Sequence, residues 1–270
     1  MNLDELDHRS SPDHQGQFAP APGAAPLVRQ IQAQTRMETR LLLRNGEQLL
    51  LAVVIPLLAL LGGVLASRRL GLDFAHPAVD VLTPGVLALA VLSTSFTSLA
   101  IATGFERRYG LLKRHGASPL PRFGLLIGKV LALLGVQLVQ AVVIGGVGMA
   151  LGWRPGGGVV GVALAVLGAL LGTMAFAALG LTLAGTLRAE ATLAAANLVY
   201  LLLLAGGGVI LPRSSYGAAG DALRLLPSGA LGDVMRDALI EGRADAFGLA
   251  VLVVWAAGGA VLASRYFKWE

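Results

Sequence analysis

The amino-acid sequence predicts an all-α integral membrane protein. We expect six transmembrane helices, an N-terminal amphipathic interfacial helix and a short amphipathic helix before the last span. Of the 270 residues, 55% are hydrophobic and 14% are charged, whereas an average soluble domain is about 25% charged. Six apolar segments reach the roughly 20 residues that cross a hydrocarbon core. This composition excludes a soluble nucleic-acid binder, so we expect membrane lipids as neighbours and no nucleic acid as partner.

The six predicted spans contain no Asp, Glu, Lys or Arg. They are Leu49–Ala66, Val81–Gly104, Val130–Gly152, Val159–Leu187, Ala191–Leu211 and Phe247–Ser264. An even number of spans places both termini on one side, and that side carries 14 of the 21 Lys and Arg residues. By the positive-inside rule, we expect a multi-pass protein of the plasma membrane with both termini in the cytoplasm.

Two segments precede the first span. Residues 1–26 are polar, acidic and rich in proline without hydrophobic periodicity, which predicts a disordered cytoplasmic tail. Residues 27–46 predict an amphipathic helix on the cytoplasmic leaflet. Its basic face is formed by Arg29, Arg36, Arg40 and Arg44, and its apolar face by Leu27, Ile31, Met37, Leu41 and Leu42. Glu38 falls within the apolar face, which indicates either a polar contact there or a side chain that snorkels to water.

Polar side chains inside the spans are the candidates for a substrate path. They are Ser95, Thr97, Ser98, Gln137, Gln140, Asn197 and Tyr200. Amide and phenol groups are costly to expose to lipid, so we expect the last four to point into the bundle. Two interpretations stay open: contacts between helices, or the lining of a path. Because no span carries an ionisable residue, an amphipathic or lipophilic cargo fits better than a small ion.

A second amphipathic segment begins at Leu226-Pro227-Ser228, before the last span. Two apolar rows follow, formed by Ala230, Val234 and Ala238 and by Leu231, Met235 and Leu239. We expect the charged residues to face away from these rows; they are Asp233, Arg236, Asp237 and Glu241. The pattern predicts a short helix that re-enters the membrane or lies on the outer leaflet.

The cytoplasmic connection after the second span, residues 105–129, is rich in basic residues. Apolar side chains lie among the charges at Tyr109, Leu111 and Leu112. A short helix with such exposed apolar groups is suited to bind a cytoplasmic partner. The alternative is a connector whose positive charge serves topology alone.

Residues 27–270 resemble the permease subunits of type-2 ABC exporters, the family that includes drug-resistance and lipid-export permeases. The resemblance rests on the run LLLRNGEQLLLAVVIP at 41–56, ERR at 106–108, GLL at 110–112, ASPLPR at 117–122 and GK at 128–129. Six spans, the amphipathic N-terminal helix and the long segment before the last span agree with that architecture. Residues 47–270 would then be the six-span permease domain.

The resemblance implies one half of an ATP-driven exporter that works as a homodimer or with a similar permease. In this family the loop after the second span carries the coupling helix, which binds the ATPase subunit. We assign that role to Glu106, Arg107, Arg108, Tyr109, Gly110, Leu111, Leu112, Lys113 and Arg114. The coupling region as a whole would extend over residues 105–122, and the substrate path would lie at the dimer interface.

The sequence offers no catalytic residues. Gly124–Lys129 comes nearest to a phosphate-binding P-loop, but it is one residue short and lacks the hydroxyl that binds Mg²⁺. We therefore expect no cofactor on this chain, with ATP and Mg²⁺ on a separate ABC ATPase subunit. We also expect no metal site, because the four histidines are dispersed: His8, His14, His76 and His115. Two alternatives stay open, a stand-alone membrane scaffold or sensor and an ABC importer permease.

Overall fold

The computed structural model describes residues 25–44, 46–71, 74–111 and 120–267. Regular structure within these ranges is helical throughout. Most of the tail predicted at 1–26 lies outside the described residues, and so do three of the predicted coupling residues, Leu112, Lys113 and Arg114.

The helices follow one another along the chain with short connections. They are α1 (Leu27–Arg44), α2 (Gly46–Leu70), α3 (Ala78–Leu92), α4 (Leu99–Arg108), α5 (Arg122–Ala150), α6 (Gly158–Thr186), α7 (Ala189–Gly206), α8 (Gly220–Leu223), α9 (Pro227–Arg236) and α10 (Ala246–Tyr266). A π-helical turn, Ser93–Ser98, joins α3 to α4 within one continuous span, and a second, Asp237–Glu241, extends α9. A 3₁₀ helix, Arg213–Ala219, precedes α8.

Six helices in the described part of the chain are long and apolar enough to cross a membrane. They cover Ala52–Leu70, Ala78–Arg108, Phe123–Ala150, Gly158–Thr186, Ala189–Gly206 and Ala246–Tyr266. Each overlaps one predicted span, so the prediction of a six-span all-α membrane protein is confirmed. The second span is the central one: α3 is buried along most of its length and packs against α2, α5, α6 and α9.

Helix α9 lies at the predicted position, but it is more deeply buried than an amphipathic surface helix. Its residues are almost all buried, and they pack against α3, α6 and α10. The prediction that Arg236 faces away from the apolar rows was wrong: only 6% of its surface is exposed. Its guanidinium pairs with Asp233 at 3.1 Å and donates to backbone carbonyls of residues 208–211.

Those carbonyls explain where the fifth span ends. We predicted a helix to Leu211, but α7 ends at Gly206 and the next five residues are irregular. Carbonyl groups beyond a helix end need donors when they are buried. Arg236, which comes from a helix 25 to 28 positions further along the chain, supplies them.

Candidate functional site: a junction of helix ends and a polar cluster

The predicted coupling residues begin in the last turn of a span rather than in a loop. Helix α4 continues through Glu106 and Arg107 to Arg108, four residues beyond the predicted end of the second span. The chain then turns at Tyr109 and at Gly110, whose φ of +68° favours glycine. The three charged residues are therefore held on a rigid helix end.

Glu106 belongs to a buried ion cluster that joins three helices. The Lys129 ammonium on α5 lies 2.6 Å from Glu106 Oε1 on α4 and 2.8 Å from Glu38 Oε1 on α1. Gln34 Nε2 donates to the same Glu38 oxygen at 2.8 Å. Lys129 is 6% exposed, so this cation depends on its two carboxylates to offset desolvation. Of the two interpretations offered for Glu38, the polar contact is the one that the structure shows.

Two glycines allow α1 to approach α5 closely. A Cβ at Gly128 would lie 2.6 Å from Gln34 Cγ, and one at Gly124 would lie 3.5 Å from an Ile31 side-chain carbon. The contact face of α1 is therefore partly polar, whereas Met37 and Leu41 stay exposed. These exposed apolar residues are available to the lipid leaflet, as expected of an interfacial helix.

Arg107 connects the end of α4 to the end of α6 by hydrogen bonds. Its Nη1 donates to the Gly185 carbonyl at 2.5 Å, and its Nη2 donates to the Leu187 carbonyl. The last carbonyls of a helix lack partners within the helix and carry partial negative charge. The forked guanidinium binds two of them at once, which a lysine ammonium cannot reproduce with the same geometry.

The contacts of Glu106, Arg107 and Arg108 form a junction of helix ends. Arg108 extends this junction to the start of α7 through an ion pair with Glu190. Both side chains are more than half exposed, so this pair contributes little to stability. A closer contact lies one turn earlier, where a Cβ at Gly104 would come within 3.3 Å of the Thr192 side chain. Glu106, Arg107 and Arg108 therefore bond to three other helices, α5, α6 and α7, and Lys129 connects Glu106 to a fourth, α1.

An exposed apolar surface, formed by Tyr109 and Leu111, comes directly after Arg108 in the chain. Tyr109 is 65% exposed and Leu111 is 38% exposed. The rings of Phe105 and Tyr109 stack with centroids 6.2 Å apart, and the Arg108 guanidinium lies 6.0 Å from the Tyr109 ring. An aromatic side chain beside an arginine is a common composition for a protein-binding surface.

The polar residues predicted inside the membrane form a hydrogen-bonded cluster around the π-helical turn Ser93–Ser98. Gln137 Nε2 donates to Ser95 Oγ at 2.8 Å, and Thr173 Oγ1 donates to Gln137 Oε1 at 2.9 Å. Gln140 accepts from Thr94 Oγ1 at 2.9 Å and donates to a backbone carbonyl of α2 at 2.7 Å. The two glutamines on α5 thereby connect three other spans.

The remaining candidates for the substrate path are divided between the interior and the surface. Tyr200 is buried, Thr97 and Ser98 are half-buried, and the Thr97 hydroxyl has no hydrogen-bond partner. Asn197 is exposed on α7, so the prediction that it points into the bundle was wrong for a single chain. An amide on this face needs a polar neighbour or a second protein surface.

A polar cavity of about 550 Å³ lies at the opposite end of the molecule. Its charged lining residues are Arg213, Asp233, Arg236, Asp237 and Glu241. Burial raises the pKa of the Asp237 carboxyl, and the Arg243 guanidinium opposes that rise. No group of three His, Cys, Asp or Glu residues within the described ranges could hold a metal ion.

The fold is that of a multi-pass α-helical membrane protein whose second span is bonded to its neighbours at the junction formed by Glu106, Arg107 and Arg108. Residues 29–238 match the family of ABC-2 type transporters, and the chain belongs to this family. The resemblance to type-2 ABC permeases is thereby confirmed.

Two relatives are similar to one half of the chain. Both are named as the probable doxorubicin resistance ABC transporter permease protein DrrC, from two strains of Mycobacterium tuberculosis, CDC 1551 / Oshkosh and ATCC 25618 / H37Rv. Each is 31% identical over 137 residues, which are 49% of this chain and 50% of the relative. The matched region thus spans about half the length of these relatives.

Several residues of the junction could not be assigned from the sequence. Glu38 gave a signal because it breaks the apolar face of α1, but nothing in the pattern identified Lys129 as its partner. Gln34 and Glu190 lie at ordinary helix positions, and the carbonyl acceptors of Arg107 have no sequence signature.

Proposed function

We propose that this chain is the membrane-spanning permease subunit of an ATP-driven exporter. It is not an enzyme itself but works with a separate ABC ATPase subunit that carries ATP and Mg²⁺. Membership of the ABC-2 type transporter family supports the permease role. The observation that carries the coupling role is the junction, where Glu106, Arg107 and Arg108 bond to three neighbouring helices and reach a fourth, α1, through Lys129. The family match favours this function over a scaffold, a sensor or an importer permease.

The proposed mechanism begins at the exposed surface of Tyr109 and Leu111, where the ATPase subunit binds. Closure of the ATPase on ATP moves this surface and, with it, the end of α4. Glu106 is bonded to Lys129 of α5, which is also bonded to Glu38 of α1, and Arg107 is bonded to the end of α6. The movement therefore reaches several helices together. Packed helices respond to such a displacement by shifting between discrete arrangements rather than by bending gradually.

The proposed cargo is an amphipathic or lipophilic molecule. The ionisable side chains of the described spans lie near the helix ends, so the middle of the membrane offers no charge to bind a small ion. The name of the similar permeases refers to doxorubicin resistance, which makes doxorubicin a rational probe. In this proposal Thr97, Ser98, Asn197 and Tyr200 face the path, whereas the Gln137 and Gln140 cluster holds the spans together.

The proposed assembly is a pair, formed by two copies or by this chain and a similar permease, in the plasma membrane. Asn197 supports it, because an exposed amide in the middle of a span is costly against lipid. Both termini would lie in the cytoplasm, in agreement with the excess of Lys and Arg on that side.

Replacing Arg107 tests the proposed coupling. We expect Arg107→Gln to reduce the doxorubicin taken up per ATP hydrolysed at least about tenfold, because each lost charge-assisted hydrogen bond is worth about 1.5 kcal/mol or more. Arg107→Lys should recover only part of the coupling, since an ammonium lacks the fork. Uptake and hydrolysis are measured together in inside-out vesicles that contain the chain and its ATPase.

The matched control is Arg265→Gln, which removes an exposed arginine at the same end of the bundle. Equal amounts of folded protein in all vesicles exclude a defect of insertion. Unchanged uptake per ATP in Arg107→Gln would contradict the coupling role. ATP hydrolysis without doxorubicin uptake in the unmodified protein would contradict this choice of cargo.

A further inference from the structure

A lateral cavity of about 320 Å³ lies away from the junction and borders the hydrogen-bonded cluster at Gln137. It is enclosed by α3, α5, α6 and the end of α9. Cavities that bind small molecules in proteins have volumes of about 300–1,000 Å³. Its lining is aliphatic except for Met235, Gln137 and Trp153, and it contains no charged residue.

The cavity occupies one half of the membrane. Gln137 lies at the middle of α5, and Trp153 follows the end of that helix by three residues. At a rise of 1.5 Å per residue, the helix from Gln137 to its end is about 20 Å long. This is comparable to one leaflet, since the hydrocarbon core is about 30 Å thick. A molecule in the cavity would therefore lie within the leaflet opposite the chain termini, which is the outer leaflet in the proposed orientation.

The two polar side chains that line the cavity, Gln137 and Trp153, differ in their hydrogen bonding. The Gln137 amide is already bonded to Ser95 and Thr173. Trp153 is 8% exposed, and its indole Nε1 is buried without a hydrogen-bond partner. Buried polar groups are seldom left unpaired in folded proteins. This N–H is thus a donor without an acceptor, on a residue that lines the cavity.

The rim of the cavity indicates lipid rather than protein as the source of the occupant. The exposed side chains around it are aliphatic, among them Leu138 on α5 and Val162 and Val166 on α6. The exposed face of α7 differs because it carries the Asn197 amide. A surface without polar groups is satisfied by acyl chains.

We infer that this cavity binds one acyl chain of an outer-leaflet phospholipid, whose ester carbonyl accepts a hydrogen bond from Trp153 Nε1. The aliphatic lining matches the chain, and the unpaired N–H near the membrane interface matches the position of the ester group. The site rests on the proposed orientation only for the identity of the leaflet, and it is independent of ATPase coupling.

Native mass spectrometry of the purified full-length chain during stepwise delipidation tests this site. We expect one phospholipid per chain to be retained after the remaining lipids are lost. Ala169→Phe places a ring in the cavity and should abolish the retention. Trp153→Phe keeps the ring but removes the N–H, and should weaken retention about fivefold, as for one hydrogen bond.

Two controls make the result specific. Val254→Phe adds the same ring on the exposed face of α10 and should leave retention unchanged. Trp255→Phe removes an indole whose Nε1 already donates to the Leu225 carbonyl at 2.8 Å, and should have no effect on retention. Equal retention in Ala169→Phe and Val254→Phe, or the absence of a retained lipid in the unmodified chain, would overturn the site.

A second measurement covers the case in which Ala169→Phe fails to fold. In a chain whose other two tryptophans are replaced by Phe, the fluorescence of Trp153 should be quenched by phospholipids brominated on the acyl chain. That quenching should persist when the bulk lipid is diluted with unbrominated lipid. Quenching that follows the bulk lipid composition would overturn the proposal, and so would displacement of the brominated lipid by doxorubicin.

Discussion

Lys129 is the residue on which the junction at the end of α4 most depends. Its ammonium is buried between Glu38 on α1 and Glu106 on α4, two helices that both precede α5 in the chain. Removal of one member of a buried ion cluster leaves the other charges without compensation. Arg108 and Glu190 form a pair in the same region, but their side chains are exposed and water can replace either partner.

The buried Lys129 cluster and the exposed Arg108–Glu190 pair should differ in what they contribute to the free energy of unfolding. We expect Lys129→Met to lower the free energy of unfolding by about 3 kcal/mol, because two carboxylates lose their cation. Arg108→Gln, the control in an exposed pair, should cost less than about 1 kcal/mol. Denaturant unfolding in micelles measures both. Equal losses in the two variants would show that Lys129 is not the buried centre of the junction.

At the residue scale, the sequence predicted which positions were unusual but not what they contact. Glu38 was recognisable because a carboxylate breaks the apolar face of α1. Its partner Lys129 is 91 positions away, and pairing over that distance depends on how α1 is placed against α5. Arg236 was predicted to face away because the sequence does not show its acceptors. Those carbonyl groups need a donor from another helix only because α7 ends early.

At the scale of helices, α1 and α5 form a packed pair, with close contact at Gly128. The backbone of α1 approaches so near that a Cβ at Gly128 would lie 3.4 Å from Thr35 N and 2.6 Å from Gln34 Cγ. Gly135, two turns further along α5, has open space where its Cβ would be. These two glycines have similar helical backbones but different surroundings.

Gly128→Leu should therefore separate α1 from α5. We expect the amides of Leu27–Arg44 to exchange hydrogen about tenfold faster, because the contact is lost and isolated helices of this length are marginal in water. Gly135→Leu is the matched control, since it makes the same gain in helix propensity without a clash. Hydrogen exchange followed by mass spectrometry reports on α1 directly. Unchanged exchange in Gly128→Leu would contradict the packed arrangement.

The existence of the spans was predictable, whereas their ends were not. A run of about 20 apolar residues without charge has few alternatives to a transmembrane helix. Helix ends depend on local partners, as the second span shows by continuing to Arg108, where its charged side chains find acceptors on other helices. The burial of α9 likewise depends on contacts with three helices that no local pattern encodes.

At the scale of the whole molecule, the exposed surface is uneven. The outer faces of α5, α6 and α10 carry aliphatic residues suited to lipid, for example Val142, Val162 and Val254. Helix α7 also exposes Leu198 and Leu201, but Asn197 lies beside them and adds an amide. We expect the second permease to cover this face.

Cross-linking tests whether the second permease covers α7. The sequence contains no cysteine, so an introduced cysteine is the residue that a maleimide labels. We expect Asn197→Cys to give a covalent dimer with a short bifunctional maleimide in native membranes, provided that the pair is a homodimer. Val254→Cys, on an exposed aliphatic face of α10, is the matched control and should stay monomeric. Dimers formed equally by both variants would reflect random collision and contradict α7 as the interface.

In the proposed function, a separate ATPase binds this chain at the surface formed by Tyr109 and Leu111. The most direct measurement is purification of the tagged chain from its own membranes in mild detergent, followed by quantitative mass spectrometry. We predict recovery, near 1:1, of a protein that carries the G-x-x-x-x-G-K-[ST] motif. Tyr109→Asp should strongly reduce that recovery, whereas Tyr266→Asp, at an exposed tyrosine on the same side, should leave it unchanged. Recovery of the chain alone, under conditions in which a known permease retains its ATPase, would contradict the binding of a separate ATPase to this chain.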